Sequence, residues 1–176
     1  MTTTEQFSRR GFLRGRFVKS LQTESEQLGF NGIRPPWAVD NVLFVESCTR
    51  CGDCIAACET QIIVKGEGGF PEIHFSNGEC TFCQKCVQVC EQPVFRAVTE
   101  QPWQHKVEIG EGCLTQHRIE CRSCQDSCPM SAIRFRLQMG GVAQPVLGLE
   151  SCNGCGACLS SCPVNAITIR HLDNNE

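Results

Sequence analysis

Sixteen cysteines dominate the chemistry open to this 176-residue chain, and they fall into four sets of four with none left over. Cys152, Cys155, Cys158 and Cys162, with Pro163 directly behind, follow the spacing CxxCxxCxxxCP. Cys48, Cys51, Cys54 and Cys58 form one further CxxCxxCxxxC run, and Cys80, Cys83, Cys86 and Cys90 form another. Cys113, Cys121, Cys124 and Cys128, followed by Pro129, keep the last three positions and displace the first upstream. Three sulfurs spaced by two residues let one tight loop wrap three corners of a [4Fe-4S] cubane, while the fourth sulfur points away and serves a second cluster. Gly154 and Gly156 permit the loop backbone to pass close to the inorganic sulfides. All sixteen cysteines are therefore candidate ligands, enough for four [4Fe-4S] clusters.

Two other uses of cysteine compete with this reading. Structural zinc draws two pairs of ligands from separate knuckles, whereas here three cysteines follow in immediate succession and no histidine stands in the runs. Disulfides need an oxidising compartment, and cysteines at i, i+3 and i+6 cannot all find separate local partners with allowed geometry. The third group leaves one alternative open. A cysteine in register would stand where Arg118 does, so either a short inserted loop swings Cys113 back to the iron or the site is labile or three-iron, with His117 as a possible substitute ligand.

These ligands need elements to carry them, and the composition limits what those elements are. Cysteine is about 9% of the chain, so much of the 41% hydrophobic content is ligand rather than core. So thin a core implies that the clusters take its place and that metal binding is linked to folding. The formal charge of −3 becomes far more negative once oxidised clusters with their thiolates add roughly −8. Residues 1–36 hold six basic and three acidic residues, leaving ten basic and sixteen acidic in 37–176. A basic arm is thus tethered to an acidic body, which is a poor fit to nucleic acid.

Along the chain, Ser8-Arg9-Arg10-Gly11-Phe12-Leu13-Arg14 resembles the twin-arginine export motif. Arg14, Arg16 and Lys19 then interrupt the apolar stretch that a working signal needs, so export is not expected, and the segment reads either as a short surface helix or as a docking arm that orders on a partner. No transmembrane segment is expected. Leu13, Phe17 and Leu21 form a modest stripe for a short helix. Pro35 and Pro36 mark the boundary between arm and body, and Trp37 is expected to cap the core.

Between the cysteine groups, short alternating strands and glycine turns predict hairpins. Ile62–Val64 faces Glu72–Phe75 across Gly66–Gly69, and Ile133–Leu137 faces Val142–Leu147 across Gly140-Gly141. Val94–Val98 is expected to pair with Lys106–Ile109 around Gln101-Pro102. The repeat has a period in the thirties. The fold class is α+β: two bacterial-ferredoxin-like 2[4Fe-4S] modules with short hairpins and short helices, plus a flexible basic N-terminal arm. The divisions are 1–36 for the arm, 37–105 for the first module and 106–176 for the second. A nested pairing of groups one with four and two with three is the alternative, and would set a strand at Val42–Val45 beside Ala166–Ile169.

The motifs together carry a more particular likeness. Ser8-Arg9-Arg10-Gly11, Asn31-Gly32-Ile33-Arg34-Pro35-Pro36-Trp37, Cys48-Thr49-Arg50-Cys51 and Cys121-Arg122-Ser123-Cys124-Gln125-Asp126-Ser127-Cys128 resemble the ferredoxin-type accessory proteins of the periplasmic nitrate reductase system, a branch of the polyferredoxins. The resemblance covers nearly the whole chain. It implies a cytoplasmic four-cluster protein that interacts with the precursor of the nitrate reductase catalytic subunit and assists its maturation, by cluster assembly or reduction, before export. A general electron-transfer polyferredoxin subunit serving another oxidoreductase is the competing reading, and an exported redox protein is a third.

No enzymatic site is legible. Nucleotide loops of the GxGxxG or Walker type are absent from the sequence, and the cysteines are already engaged as ligands. His74, His105, His117 and His171 are scattered, with no spacing that suggests a second metal site.

Overall fold

The computed structural model describes residues 32–170, and its elements are short because each serves a cysteine loop. Asp40 starts the longest of the helices described. Its carboxylate accepts from the amides of Val42 and Leu43, both at 3.1 Å, and so caps α1, Asn41–Ser47. Phe44 is the inward side chain of α1 and is fully buried. Val42–Val45 therefore lies inside a helix; the strand envisaged there for a nested pairing is not formed.

Four one-turn helices follow the same rule. α2 (Asp53–Ala56), α3 (Lys85–Gln88), α4 (Ser123–Asp126) and α5 (Ala157–Ser160) each carry the third cysteine of a run inward, leaving Cys54, Cys86, Cys124 and Cys158 buried. α2 packs on α3 and α4 on α5.

Three two-stranded antiparallel sheets cover the loops. β1 (Ile63–Lys65) pairs with β2 (Pro71–Ile73) in the register Ile63 to Ile73, across the glycine turn. β4 (Ile133–Arg136) pairs with β5 (Gln144–Leu147) in the register Ile133 to Leu147. Both hairpins follow the alternation in the sequence. The third does not. β3 (Lys106–Ile109) pairs with β6 (Ile167–Arg170), Val107 opposite Ile169, while Phe95 makes a single bridge to Ala38. Gln101-Pro102 is not a hairpin turn, because the Pro102 carbonyl is taken by the amide of Trp37 at 2.6 Å and the chain runs on into the second half. In each half the segment entering the first cysteine loop pairs instead with the segment leaving the last.

Three small apolar clusters hold the molecule. One gathers Ile62, Ile63, Ile73, Phe75 and Trp103 around Cys54 and Cys86, and another gathers Val107, Ile133 and Ile167 around Cys124, Cys152 and Cys158. Phe44, Phe70 and Val94 make the third, with Cys48 and Cys90 packed against it. Leu159 and Ile169 touch the first two clusters, so the halves share a boundary of side chains. Trp37 is buried as expected, its indole donating to the Glu100 carbonyl at 2.9 Å. Arg34 spans Phe44 and Phe70, its carbon about 5 Å from each ring, while bonding to Asn41 Oδ1. Of the basic arm expected at 1–36, residues 1–31, with the short helix expected around Leu13, Phe17 and Leu21, lie outside the described residues.

Candidate iron–sulfur centres

The cysteine loops are bent by alternating backbone hand. In three runs the residues on either side of the middle cysteine have positive φ: Arg50 and Gly52, Phe82 and Gln84, Gly154 and Gly156. Such turns bring successive amide N–H groups to one concave side, a cradle suited to an anionic group. Holding Arg50, Phe82 and Gln84 in this region costs of order 1 kcal/mol or more each, which a loop retains only when its surroundings impose it.

The loops meet in crossed pairs. Cys58 lines one cavity with Cys80, Cys83 and Cys86, so the last cysteine of the first run closes the cage of the second. Reciprocally, Cys90 lies near Cys51 and Cys48, and Cys54 lies near Cys48, Cys86, Cys90 and Cys51. The same exchange recurs in the second half. Cys113, Cys121, Cys124 and Cys162 line one cavity, and Cys128, Cys152, Cys155 and Cys158 line the other. Apolar side chains complete each wall, among them Ile62 and Phe82 in one and Ile109 and Phe135 in another.

Cys113 reaches its cavity through an inserted turn. Residues Leu114–His117 form a 3₁₀ turn ended by Arg118 at φ 61, and the Ile119 amide closes it on the Leu114 carbonyl. Thr115, buried to 1% exposure, pins the turn to β5. Its hydroxyl donates to Gln144 Oε1 at 3.1 Å, and Gln144 Nε2 donates to the Thr115 carbonyl at 2.7 Å. His117 is exposed and is not part of the cavity wall.

The cages fit a cluster better than a single ion. Tetrahedral zinc with bonds of about 2.3 Å needs its four sulfurs about 3.8 Å apart. Among the described residues no three His, Cys, Asp or Glu side chains close on one point in that way. A cubane holds its thiolates at outer corners around a larger body, which a ring of four separated sulfurs can surround.

Burial and crowding raise the thiols of Cys54, Cys80, Cys86, Cys90, Cys124, Cys155 and Cys158 and so favour their protonated form when no metal is bound. Burial pushes Cys54 up to about 12, with neighbouring Cys48 and Cys86 adding to it. Burial does the same for Cys80 and for Cys158, each to about 12, and raises Cys86 and Cys124 to about 11. Iron binding must therefore expel protons. Cys58 is the exception. Burial pushes it up, but the amides of Ile63, Ile62 and Thr60 and the Thr60 hydroxyl outweigh this and hold it below the usual thiol value. Amides also reach the sulfurs of two other closing cysteines: Ala132 donates to Cys128 at 3.3 Å and Ala166 to Cys162 at 3.2 Å. Such N–H···S bonds favour the thiolate and tune a bound cluster.

Three residues beside the loops have partners that lie far away in the chain. Glu59, beside Cys58, does not add a free negative charge, because it forms an ion pair with Lys85. Gly154 and Gly156 are needed for packing as well as for their turns. A Cβ on Gly154 would lie 2.7 Å from the Trp103 indole nitrogen and 2.9 Å from His105, and one on Gly156 would collide with the Phe75 ring.

A group that the sequence does not announce sits beside them. Trp103 Nε1 donates to the Asn153 carbonyl at 2.8 Å, His105 Nε2 lies 3.0 Å from the Gly154 carbonyl, and Lys106 Nζ donates to the Cys152 carbonyl. Three successive carbonyls of the last cysteine loop are thus held by one stretch. No periodicity or motif marks that stretch, since its partners are about fifty residues away.

The comparisons with known proteins agree with this architecture. Residues 39–95 and residues 117–166 each match a family model described as a 4Fe-4S dicluster domain. The fold and these matches define an iron–sulfur protein of the dicluster ferredoxin class, mixed in α and β. The chain is 59% identical to the ferredoxin-type protein NapF of Haemophilus influenzae over 99% of both chains. It is 47% identical to NapF of Escherichia coli over 94% of this chain and 95% of that one. A more distant similarity, 26% over 77% of this chain and 68% of the relative, is to the ferredoxin-type protein NapG of Escherichia coli. The chain belongs to the NapF family of ferredoxin-type proteins.

Proposed function

We propose that this chain is a four-cluster iron–sulfur accessory protein of the periplasmic nitrate reductase system. It acts in the cytoplasm on the precursor of the catalytic subunit and assists its maturation, by cluster assembly or by reduction, before export. The observation that carries the four-cluster part is the set of crossed cysteine cages. The client is carried by the likeness to NapF over almost the full length.

In this reading Cys48, Cys51, Cys54 and Cys90 hold the first [4Fe-4S] cluster, and Cys80, Cys83, Cys86 and Cys58 the second. Cys113, Cys121, Cys124 and Cys162 hold the third, and Cys152, Cys155, Cys158 and Cys128 the fourth. Bound there, such clusters accept and release single electrons. The chain's own part is to supply thiolates, to aim amides such as those of Ile62, Ala132 and Ala166 at sulfur, and to exclude water with Ile62, Phe82 and Phe135. The protein carries or delivers rather than catalyses. Residues 37–105 and 106–176 are read as its two modules, and the basic residues 1–36 as part of the client contact.

An anaerobic pull-down with the intact chain, with iron and sulfide measured in bait and prey, tests this. Recovery of the nitrate reductase precursor with a cluster-loaded bait is the expected result. Deleting residues 1–30 is expected to abolish client binding while leaving every cluster reducible. Unaltered maturation after that deletion would favour a general electron-transfer subunit serving another oxidoreductase. Among the described residues no helix is long and apolar enough to cross a membrane. Cell fractionation tests the compartment: processed protein in the periplasm would reject the cytoplasmic assignment.

A further inference from the structure

The two halves of the molecule touch at their cysteine loops. The amide of Cys80, in the wall of the second cage, donates to the carbonyl of Cys155, in the wall of the fourth, at 2.8 Å. Around this bond the first half sets an aromatic group against the last loop. Phe75 lies edge-on to Trp103, with centroids 6.1 Å apart, and Trp103 leans on His105 at 4.5 Å. Phe75 covers Gly156, and Trp103 and His105 cover Gly154. The side chains of Trp103, His105 and Lys106 then hold the carbonyls of residues 153, 154 and 152.

The fourth cage is enclosed as a result. Cys152, Cys155 and Cys158 are all buried, whereas the middle cysteines of the first two runs, Cys51 and Cys83, are exposed. Both glycines suit this junction, because a Cβ at either position would collide with the aromatic group, Trp103 and His105 at Gly154 and Phe75 at Gly156.

We infer that the Cys80–Cys155 contact is the electron crossing between the two halves, so that the cages are wired in the order first, second, fourth, third, with the outer ends at the first and third. The inference rests on the ligand assignment above. It goes beyond that assignment because crossed ligands explain exchange only within each pair. The route across is two cysteine side chains, their backbone links and a single hydrogen bond. Cys80 would hold the donor cluster and Cys155 the acceptor, each supplying one-electron chemistry when bound, so that one electron would be lost on the Cys80 side and gained on the Cys155 side with no proton moved and no bond broken. The electron is first supplied by a low-potential one-electron donor, for which dithionite serves in the test.

The test uses the full chain, purified anaerobically, reduced with dithionite and read by electron paramagnetic resonance. Cys113→Ala removes the third cluster and with it the partner of the fourth within its own half. Cys83→Ala, added to it, removes the second. Iron and sulfide analysis of both variants establishes independently which cages are loaded, so failure of the ligand assignment is told apart from failure of the crossing. The signal of the fourth cluster is expected to relax quickly and be broadened in Cys113→Ala, and to become slow and sharp in the double variant. The same relaxation in both would overturn the inference. If the double variant does not retain the fourth cluster, Cys58→Ala takes the place of Cys83→Ala, since it also removes a ligand of the second cage. With the fourth cluster's iron accounted for, the fast relaxation should then be lost, and its persistence would likewise overturn the crossing.

Discussion

Pro93 stands three residues after Cys90, where the corresponding residues after the other three closing cysteines take up a left-handed turn. Gln61, Ser131 and Asn165 have φ of 53°, 50° and 51°, at the same offset from Cys58, Cys128 and Cys162. That turn is what aims the amide of the next residue at sulfur, as Ala132 and Ala166 show. Proline fixes φ near −65° and cannot make it. The Val94 amide goes to the Gln92 carbonyl instead, and burial leaves the Cys90 thiol above its ordinary value although a backbone hydrogen bond with Gln92 acts to lower it.

The first cluster is therefore expected to have a lower potential than it would with the usual bond, since N–H···S bonds stabilise the more negative, reduced state. Pro93→Asn, which restores an N–H and tolerates the left-handed turn, should raise it. A differential bond strength of about 1 kcal/mol corresponds to about 40 mV for one electron. Potentiometric titration followed by electron paramagnetic resonance reads this directly. An unmoved first potential, with the variant loaded, would refute the argument.

Gly156→Ala should destabilise the holo protein by a few kcal/mol. The added methyl meets the Phe75 ring, and the residue must keep φ at 85°. A lower thermal midpoint and faster loss of iron under oxygen are the expected readings. Gly52 has a similar φ of 89° with open space around it, so Gly52→Ala bears the backbone penalty alone and should lose less.

Cys113→Ala should cost one cluster's worth of iron and sulfide, whereas His117→Ala should cost none. The 3₁₀ turn carries Cys113 into the wall beside Cys121, Cys124 and Cys162 and leaves His117 outside. Thr115→Val, which removes the hydroxyl bond to Gln144 while keeping the shape, should make the third cluster leave sooner under chelator without changing its number at the outset. Iron and sulfide quantitation decides each case.

Stripping the metal should abolish cooperative unfolding, because all three apolar clusters are built around or against cysteines. Any residual structure of the stripped chain should also weaken in alkali. Burial raises Cys54, Cys80 and Cys158 from 9.0 to about 12, so these thiols favour the fold below pH 9. Their contribution is lost as the pH rises from 9 through about 12, since the unfolded chain releases its protons first. Circular dichroism of stripped and loaded protein across that window checks the sign. At pH 8, alkylation of the stripped chain should mark Cys58 ahead of Cys54, because amide donors hold the Cys58 thiol low.

Much of the site was written in local spacing. A CxxCxxC loop can curl only one way around a cube, so the cysteines, the one-turn helices that carry Cys54, Cys86, Cys124 and Cys158, and the hairpins at Ile63 and Ile133 could all be anticipated from neighbours in the chain. The pairing of Lys106–Ile109 with Ile167–Arg170 could not. Alternation at 106–109 says that a strand forms but not which distant strand offers its edge, and Gln101-Pro102 imitates a hairpin turn while serving as the passage between halves.

What the amino-acid order determines alone is which side chains can bind iron and how each loop bends, because both depend on residues within one turn of each other. Only the tertiary structure decides that Cys90 closes the cage of Cys48, that Cys113 is brought in by Thr115 and Gln144, and that Trp103, His105 and Lys106 grip the loop at 152–154. Those contacts join residues tens of positions apart, and their geometry follows from how two thin cores pack together rather than from any pattern that a single stretch can display.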